Sequence, residues 1–243
     1  MKLYKYLHPD RIDVLKNRAI RFSPPIAFND PFEFKPVISG IASDAYIKAY
    51  MEENLESIVE SKLAKFPIHI RDLMPRAQFQ ELVELYVKNN SEVFNDLMDK
   101  AKEQVSTVLS EKSNKLIGVL SLTEKADNLL MWSHYAESHS GYCIGFKSNH
   151  SFFNRKRSEK DEFYHLRKVK YLPRRPSKLM VDMNGTDMFL LKSDIWEYEQ
   201  EWRMCAVLLD ADTIINKIDP PVHLFNFPAD LIEEVIIGVN AKD

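Results

Sequence analysis

Residues 131–146 read MWSHYAESHSGYCIGF and concentrate aromatic and titratable side chains in a chain with seven histidines and three tryptophans. The apolar start of this segment predicts a helix, on which Trp132, Tyr135 and His139 recur at i, i+3 and i+7 and so share one stripe. His134 lies beside that stripe. Imidazoles can move protons and aromatic rings can stack on a planar ligand, so the stripe could face a cleft. The segment alone leaves open the alternative that these are core aromatics and hydrogen-bonded packing histidines.

Residues 196–203, WEYEQEWR, form a second charged group. Because side chains alternate along a strand, Glu199, Glu201 and Arg203 would share one face if the strand already begins at Glu199. The guanidinium of Arg203 would keep at least one carboxylate ionised. An ionised glutamate can stabilise a developing positive charge or accept a hydroxyl proton. A plain salt bridge explains the same residues, and charge pattern alone favours it.

Residues 23–34, SPPIAFNDPFEF, predict an ordered turn, because the prolines and the Asn-Asp pair interrupt regular structure. Asn29 or Asp30 would cap its own backbone there. The apolar side chains of the segment would hold the turn against a core. It is the third segment that carries polar residues without an obvious role in a helix or strand.

The elements that must position these segments are mainly short strands. β-branched and aromatic residues predict strands at residues 2–7, 20–22, 115–123, 142–146, 167–172, 202–209 and 233–239. Several connecting loops are too short for βαβ crossovers, which favours an antiparallel or mixed sheet in an α+β domain over a doubly wound fold. Gly141 fits a helix stop before the fourth of these strands. The chain contains neither G-x-G-x-x-G nor G-x-x-x-x-G-K-[ST], so these two nucleotide-binding fingerprints are absent.

Residues 43–113 differ from the rest, since their apolar residues keep helical spacing among charges. We predict a helical insertion of three or four helices, packed on an α+β core domain that comprises residues 1–42 and 114–243 and has a mainly antiparallel sheet. The insertion carries 13 acidic and 9 basic residues, a net charge of −4. We interpret it first as a packed helical layer, and otherwise as an element that shapes a cleft or binds a protein partner.

The composition is that of an ordinary globular chain, with 45% hydrophobic and 28% charged residues. The N-terminal residues lack the apolar stretch of a signal peptide and no run is long enough to span a membrane, so we expect a cytoplasmic protein without membrane contact. Cys143 and Cys205 lie in separate apolar runs, where buried, reduced thiols are usual. His134 and His139 are five residues apart, which does not suit a helical zinc site, and we expect no metal.

Residues 155–178 contain ten Lys or Arg and three Asp or Glu, a local net charge of +7 in a chain whose total is −3. Clustered cations suit phosphate, either in a nucleic-acid backbone or in the pyrophosphate of a nucleotide. A basic but merely solvated loop is an equally good interpretation.

Taken together, the motifs resemble a bacterial family defined by a domain of unknown function, number 2971. Its members share an LYKY-like first strand, an FNDPFE-like loop, an MWSHYAxxHxGxCIGF segment and an ExEWR segment. In this chain these are residues 3–6, 28–33, 131–146 and 199–203. The resemblance therefore covers nearly the whole chain outside the helical insertion.

The order of these features is also similar to that of ADP-ribosyltransferase folds, which implies NAD as the co-substrate. The implied catalytic residues are Glu201, Tyr135, His134 and Glu199. The implied NAD-binding residues are Tyr4, Lys5, Tyr6, Asn29, Asp30, Ser121, Trp132, His139 and Arg203. The chain departs from that pattern, because it lacks a Ser-Thr-Ser run on the middle strand and an Arg or His on the first strand, where Lys5 is the nearest substitute. We expect a toxin or phage-defence effector that modifies nucleic acid or protein.

Two other classes of function stay open on the sequence. One is a metal-independent ribonuclease or phosphodiesterase, with His134 and His139 as acid and base, Glu201 as their partner, and Lys5 and Arg203 on phosphate. The other is a non-catalytic binding module of a defence system, in which the helical insertion recruits a partner.

Overall fold

The computed structural model describes residues 1–65, 76–89 and 91–242. These form two compact units. The first comprises Met1–Pro36, Leu109–Pro176 and Asn184–Asp243, and the second comprises Val37–Val108 and Ser177–Met183. The predicted insertion includes residues 66–75 and 90, which lie outside the described residues.

The first unit is built on an antiparallel sheet of six strands: β1 Lys2–Leu7, β4 Ile117–Thr123, β5 Tyr142–Lys147, β6 Leu166–Lys168, β10 Glu201–Val207 and β13 Ile232–Ile237. Their order across the sheet is β13-β5-β1-β4-β10-β6. Three further strands, β2 Ala19–Phe22, β11 Thr213–Ile215 and β12 Val222–Asn226, pair antiparallel in the order β11-β12-β2. Two short strands, β7 Lys170–Leu172 and β9 Leu191–Ser193, pair in parallel. The mainly antiparallel α+β fold predicted from the sequence is thus confirmed.

Short helices accompany these strands: α1 Asp13–Asn17, α5 Leu129–Tyr135 and α6 Gly185–Phe189. The second unit contains α2 Asp44–Leu63, α3 Arg76–Asn89 and most of α4 Ser91–Leu116, together with β3 Val37–Gly40 and β8 Ser177–Leu179, which pair in parallel. Among the helices of the described residues, none is both long enough and apolar enough to cross a lipid bilayer.

The two faces of the central sheet differ because side chains alternate along each strand. On one face Leu120, Leu122 and Met204 belong to the main hydrophobic core. On the opposite face the register places Glu201 beside Thr123 and Arg203 beside Ser121. Polar residues at alternate positions of β4 and β10 therefore converge on a single face of the sheet.

The central sheet is interrupted between β1 and β4. β1 pairs with β5 along all six of its residues, but its register with β4 consists of the single pair Tyr4 and Thr123. Next to that pair, Lys5 Nζ donates a hydrogen bond to the carbonyl oxygen of Ser121 at 3.0 Å. A side chain thus serves a backbone carbonyl at the point where the two strands separate.

The single strand predicted at residues 167–172 is wrong. The chain changes partners there: β6 pairs antiparallel with β10, whereas β7 pairs in parallel with β9. Between them Val169 is buried and its N–H donates to the carbonyl oxygen of Glu201 at 2.9 Å. Val169 thus lies between two short strands, each of which pairs with a different partner strand.

Candidate functional site

A cavity of about 280 Å³ opens beside the interrupted part of the sheet. It is lined by β1, the 27–33 loop, β4, α5 and the segment from Lys192 to Glu201. Of the thirteen site residues predicted from the sequence, ten line this cavity: Tyr4, Lys5, Tyr6, Asn29, Asp30, Ser121, His134, Tyr135, Glu199 and Glu201. Trp132, His139 and Arg203 are not among its lining residues.

Glu201 and Arg203 form a buried, two-pronged ion pair beneath the cavity. Arg203 Nε donates to Glu201 Oε1 at 2.7 Å and Nη2 donates to Glu201 Oε2 at 3.0 Å. Arg203 also donates to the carbonyl oxygen of Phe189 and to the carboxylate of Glu33, and its side chain is fully buried. Because Arg203 is fully buried and does not line the cavity, we infer that it positions Glu201 and does not itself contact a ligand.

Lys192 connects this pair to a second carboxylate. Its Nζ donates to Glu201 Oε2 at 2.9 Å and to Glu199 Oε2 at 2.6 Å. The other oxygen of Glu199 accepts a hydrogen bond from the hydroxyl of Tyr135 at 2.7 Å, and the Tyr135 side chain is 40% exposed. Glu199 therefore links the buried charges to a tyrosine at the surface of the cavity.

Glu199 does not lie on the strand, so the condition for a shared strand face with Glu201 and Arg203 is not met. β10 begins at Glu201, Glu199 ends a 3₁₀ segment at Asp194–Glu199, and Gln200 takes a left-handed conformation with φ of 44°. The two carboxylates converge because both bind Lys192, and not because of strand alternation.

Two members of the charged cluster were missed from the sequence as site residues. Glu33 is buried, and its Oε1 lies 3.4 Å from Lys192 Nζ. Lys192 is a single lysine in a segment that carries none of the motifs described above. The available signal was a charged residue between two phenylalanines, FEF, for Glu33, and a lysine that directly follows the apolar run FLL for Lys192.

Opposite charges set the protonation of the Glu201 carboxyl. Burial alone would raise its pKa, but the charges of Arg203 and Lys192 outweigh burial and lower the pKa from 4.5 to about 2. For Glu33, burial dominates over the same two cations and raises its pKa. Of these two carboxyls, Glu201 is therefore the one that stays ionised to the lower pH.

We expect the stabilising effect of Glu201 to disappear in acid. A carboxyl whose pKa is lowered on folding stabilises the protein at pH values above its unfolded pKa. For Glu201 this contribution is lost as pH falls from 4.5 towards 2. The shift in pKa corresponds to about 3 kcal/mol of unfolding free energy. Urea unfolding of wild type and Glu201→Gln should show a difference at pH 7 that shrinks as pH falls to 3. Glu159→Gln, at an exposed site, is the control and should track wild type at both pH values. A Glu201→Gln difference independent of pH would contradict this assignment.

The 27–33 loop adds polar atoms to the cavity. Asp30 Oδ1 accepts from the N–H of Phe32 at 2.8 Å, which confirms that Asp30 caps its own turn. Its other oxygen, Asp30 Oδ2, is buried and finds no hydrogen-bond partner among the described residues. Ser121 Oγ is also buried and makes no close hydrogen bond within this part of the chain, although its proximity helps to lower the pKa of the Glu201 carboxyl. Buried polar atoms are normally paired, so these two atoms suit a polar ligand in the cavity.

Aromatic side chains complete the cavity walls. Phe28, Trp196 and three tyrosines line it, and Lys192 Nζ lies 5.2 Å from the centre of the Trp196 ring. Such walls favour a ligand with a planar ring.

The predicted helical stripe of Trp132, Tyr135 and His139 is wrong, because α5 ends at Tyr135. Beyond the helix end, the consecutive residues Glu137, Ser138 and His139 have positive φ values of 46°, 51° and 69°. His139 returns to stack on the Trp132 ring at 6.4 Å, outside the cavity lining. No glycine marks the end of the helix, and the reversal depends on non-glycine residues in a left-handed conformation.

Trp132 follows the alternative interpretation, that of a core aromatic. Its indole N–H donates to the carbonyl oxygen of Ala126 at 2.9 Å, and its ring packs edge-on against Tyr6 at 5.0 Å. Gly141 does not end the helix, which stops at Tyr135. It allows the backbone of Leu7 to approach closely, since a β-carbon at Gly141 would lie 2.1 Å from the carbonyl oxygen of Leu7.

The basic stretch at residues 155–178 contributes no residue to the cavity lining. Several of its cations have local partners: Arg157 pairs with Asp210, and Lys168 with Glu124. A role for this stretch with a nucleic acid stays a prediction.

Comparison with known proteins gives one family match. Neither the curated proteins nor the solved structures gave a match. Residues 131–204, which span α5, the Lys192 segment and the start of β10, match the family described as Protein of unknown function (DUF2971). The family resemblance predicted from the motifs is therefore confirmed over the segment that supplies Tyr135, Lys192, Glu199 and Glu201 to the cavity.

Proposed function

We propose that this chain catalyses ADP-ribosyl transfer from NAD. The observation that carries the proposal is the Glu201 carboxylate, which is ionised, immobilised by Arg203 and Lys192, and part of a polar cavity with aromatic walls. NAD would act as a co-substrate in this reaction, and its nicotinamide would be released.

The chemistry suits a fixed carboxylate. When the bond between ribose C1 and the nicotinamide nitrogen breaks, its electron pair leaves with nicotinamide and positive charge develops on the ribose. A preorganised negative group lowers the energy of that transition state. A carboxylate offers about four acceptor positions. Glu201 uses three of them for Arg203 and Lys192, and the Ser121 hydroxyl also helps to lower the pKa of its carboxyl, so its negative charge would act on the ligand through space.

The cavity size suits part of NAD. Sites for whole drug-sized ligands occupy about 300–1,000 Å³. A volume of about 280 Å³ therefore fits the nicotinamide and its ribose, with the adenosine half outside. The rings of Tyr4, Phe28 and Trp196 could stack on nicotinamide. Asp30 Oδ2 could accept a hydrogen bond from its amide or from the ribose, and Ser121 Oγ could accept or donate one.

Glu199 and Tyr135 are the groups we assign to the acceptor side. The Tyr135 hydroxyl is bound to Glu199 and the tyrosine is partly exposed, so the pair could orient an incoming nucleophile. Nucleic acid or protein as acceptor, a partner at the helical insertion and a setting in toxin or phage defence belong to the same proposal. His134, which is exposed and lines the cavity, would contact the ligand at its mouth.

The ribonuclease alternative has less support from the geometry. It requires two histidines and two phosphate-binding cations in one site, yet His139 and Arg203 do not line the cavity. Of the four groups assigned to proton transfer and phosphate binding, only His134 and Lys5 line the cavity.

Binding and turnover of NAD test the proposal directly. We expect NAD to raise the melting temperature further as its concentration increases, with the logarithm of the concentration, because a ligand that binds the native state adds about 2.7 kcal/mol at 100 times its dissociation constant. We also expect release of nicotinamide, measured by chromatography. Nicotinamide alone should stabilise the protein less than NAD does. If millimolar NAD neither shifts the melting temperature nor loses nicotinamide, the proposal is wrong.

A further inference from the structure

The cavity contains two lysines in opposite electrostatic environments. Lys192 Nζ is held by Glu199 and Glu201 and lies near Glu33. Lys5 Nζ donates instead to the backbone carbonyl oxygen of Ser121, and the ion pairs found among the described residues include none for Lys5. One amine is thus locked into carboxylates, while the other has a neutral partner.

The protonation of the two amines follows from these contacts. Burial lowers the pKa of Lys5, and the charges of Glu201 and Glu199 offset only part of that effect. For Lys192 burial acts in the same direction, but the charges of Glu201 and Glu33 outweigh it and its pKa is raised. A free amine has a lone pair, and desolvated lysines act as nucleophiles for this reason.

We propose that Lys5 is a nucleophilic lysine that condenses with the carbonyl of a small aldehyde bound in the cavity. The amine nitrogen attacks the carbonyl carbon, a C–N bond forms, and the nitrogen gives up two protons to the carbonyl oxygen. The C–O bond then breaks, water leaves, and an imine joins Lys5 to the ligand. No oxidant or reductant takes part.

Neighbouring groups in the cavity suit this condensation. The Ser121 hydroxyl lines the same cavity on the strand whose carbonyl oxygen accepts from Lys5 Nζ, so an O–H group beside the amine can move protons to the departing oxygen. The aromatic walls favour an aldehyde on a planar ring, and the volume of about 280 Å³ limits its size.

Reductive trapping of the full chain tests this proposal, using pyridine-3-carbaldehyde as the probe and cyanoborohydride to reduce the imine. Trypsin does not cut after a modified lysine, so modification of Lys5 yields the peptide LYKYLHPDR, residues 3–11, carrying the added mass. We expect this peptide to form several-fold faster at pH 7 than labelled peptides from exposed lysines. Its formation rate should also level off at a lower pH than theirs.

Lys5→Arg keeps a cation that cannot form an imine, and the matched control Lys2→Arg changes a lysine on the same strand that is ion-paired with Glu234. Lys5→Arg should abolish the fast labelling, and Lys2→Arg should preserve it. Circular dichroism and melting curves establish that both variants fold, and a misfolded Lys5→Arg would be replaced by Lys5→Met. Labelling of Lys5 no faster than that of surface lysines in the wild-type protein would overturn the proposal. The readout is a covalent mass in the absence of NAD, so its failure leaves NAD transfer unaffected.

Discussion

Arg203→Met is expected to lower the free energy of unfolding by about 3–5 kcal/mol, because it leaves the buried carboxylates of Glu201 and Glu33 without their guanidinium. Methionine fills a similar volume, so the effect should come from charge and hydrogen bonds more than from a cavity. Urea unfolding at pH 7 measures it. Arg157→Met is the matched control, since Arg157 pairs with Asp210 at the surface and such pairs contribute about 0–1 kcal/mol.

Two further variants separate the causes of that loss. Arg203→Lys keeps one positive charge but cannot serve Glu201, Glu33 and the Phe189 carbonyl together, so its stability should lie between wild type and Arg203→Met. Combining Arg203→Met with Glu33→Gln and Glu201→Gln removes the uncompensated charges and should recover part of the stability. Equal effects of Arg203→Met and Arg157→Met would show that the cluster is not a buried electrostatic unit.

Glu201→Gln is expected to reduce nicotinamide release by about 10²–10³-fold in kcat, the usual loss when a preorganised electrostatic group at a transition state is removed. The amide is nearly the same size but carries no charge. Because the developing positive charge exists only in the transition state, the KM for NAD should change far less than kcat. Initial rates of nicotinamide release over a range of NAD concentrations give both constants.

The comparison requires folded protein, since Glu201→Gln also leaves Arg203 and Lys192 with fewer charges to bind. Rates are therefore compared at a temperature where the melting curve shows each variant to be native. Glu124→Gln is the control: Glu124 also accepts a hydrogen bond from a lysine, Lys168, but it does not line the cavity. We expect it to retain the wild-type rate. Full activity in folded Glu201→Gln would remove Glu201 from the mechanism.

The sequence predicted much of this site because its polar residues stand out locally. Asp30 and Glu201 occur in short segments whose polar residues have no obvious role in a helix or strand, whereas Tyr4 was implied by the resemblance to ADP-ribosyltransferase folds. The antiparallel sheet was predictable for a related reason: the loops between its strands are too short for crossovers.

What sequence could not predict depends on contacts between distant segments. Lys192 becomes central only because the chain brings it to Glu199 and Glu201, and no motif surrounds it. The end of α5 was missed because residues 137–139 adopt left-handed conformations without a glycine, which packing must impose. The role of Arg203 was misjudged for a similar reason, since a strand position alone does not tell a ligand-facing guanidinium from one bonded on its inner side.

The interrupted pairing of β1 and β4 limits which substitutions the site can accept in related proteins. Where backbone hydrogen bonds join two strands, those bonds do not require a particular side chain. Here the side chain of Lys5 makes the bond, so this residue is both a structural link and a wall of the cavity. Substitution at this position would alter the architecture and the chemistry in one step. We therefore expect a substitution of Lys5 in a relative to be accompanied by changes in the residues that surround it in the cavity.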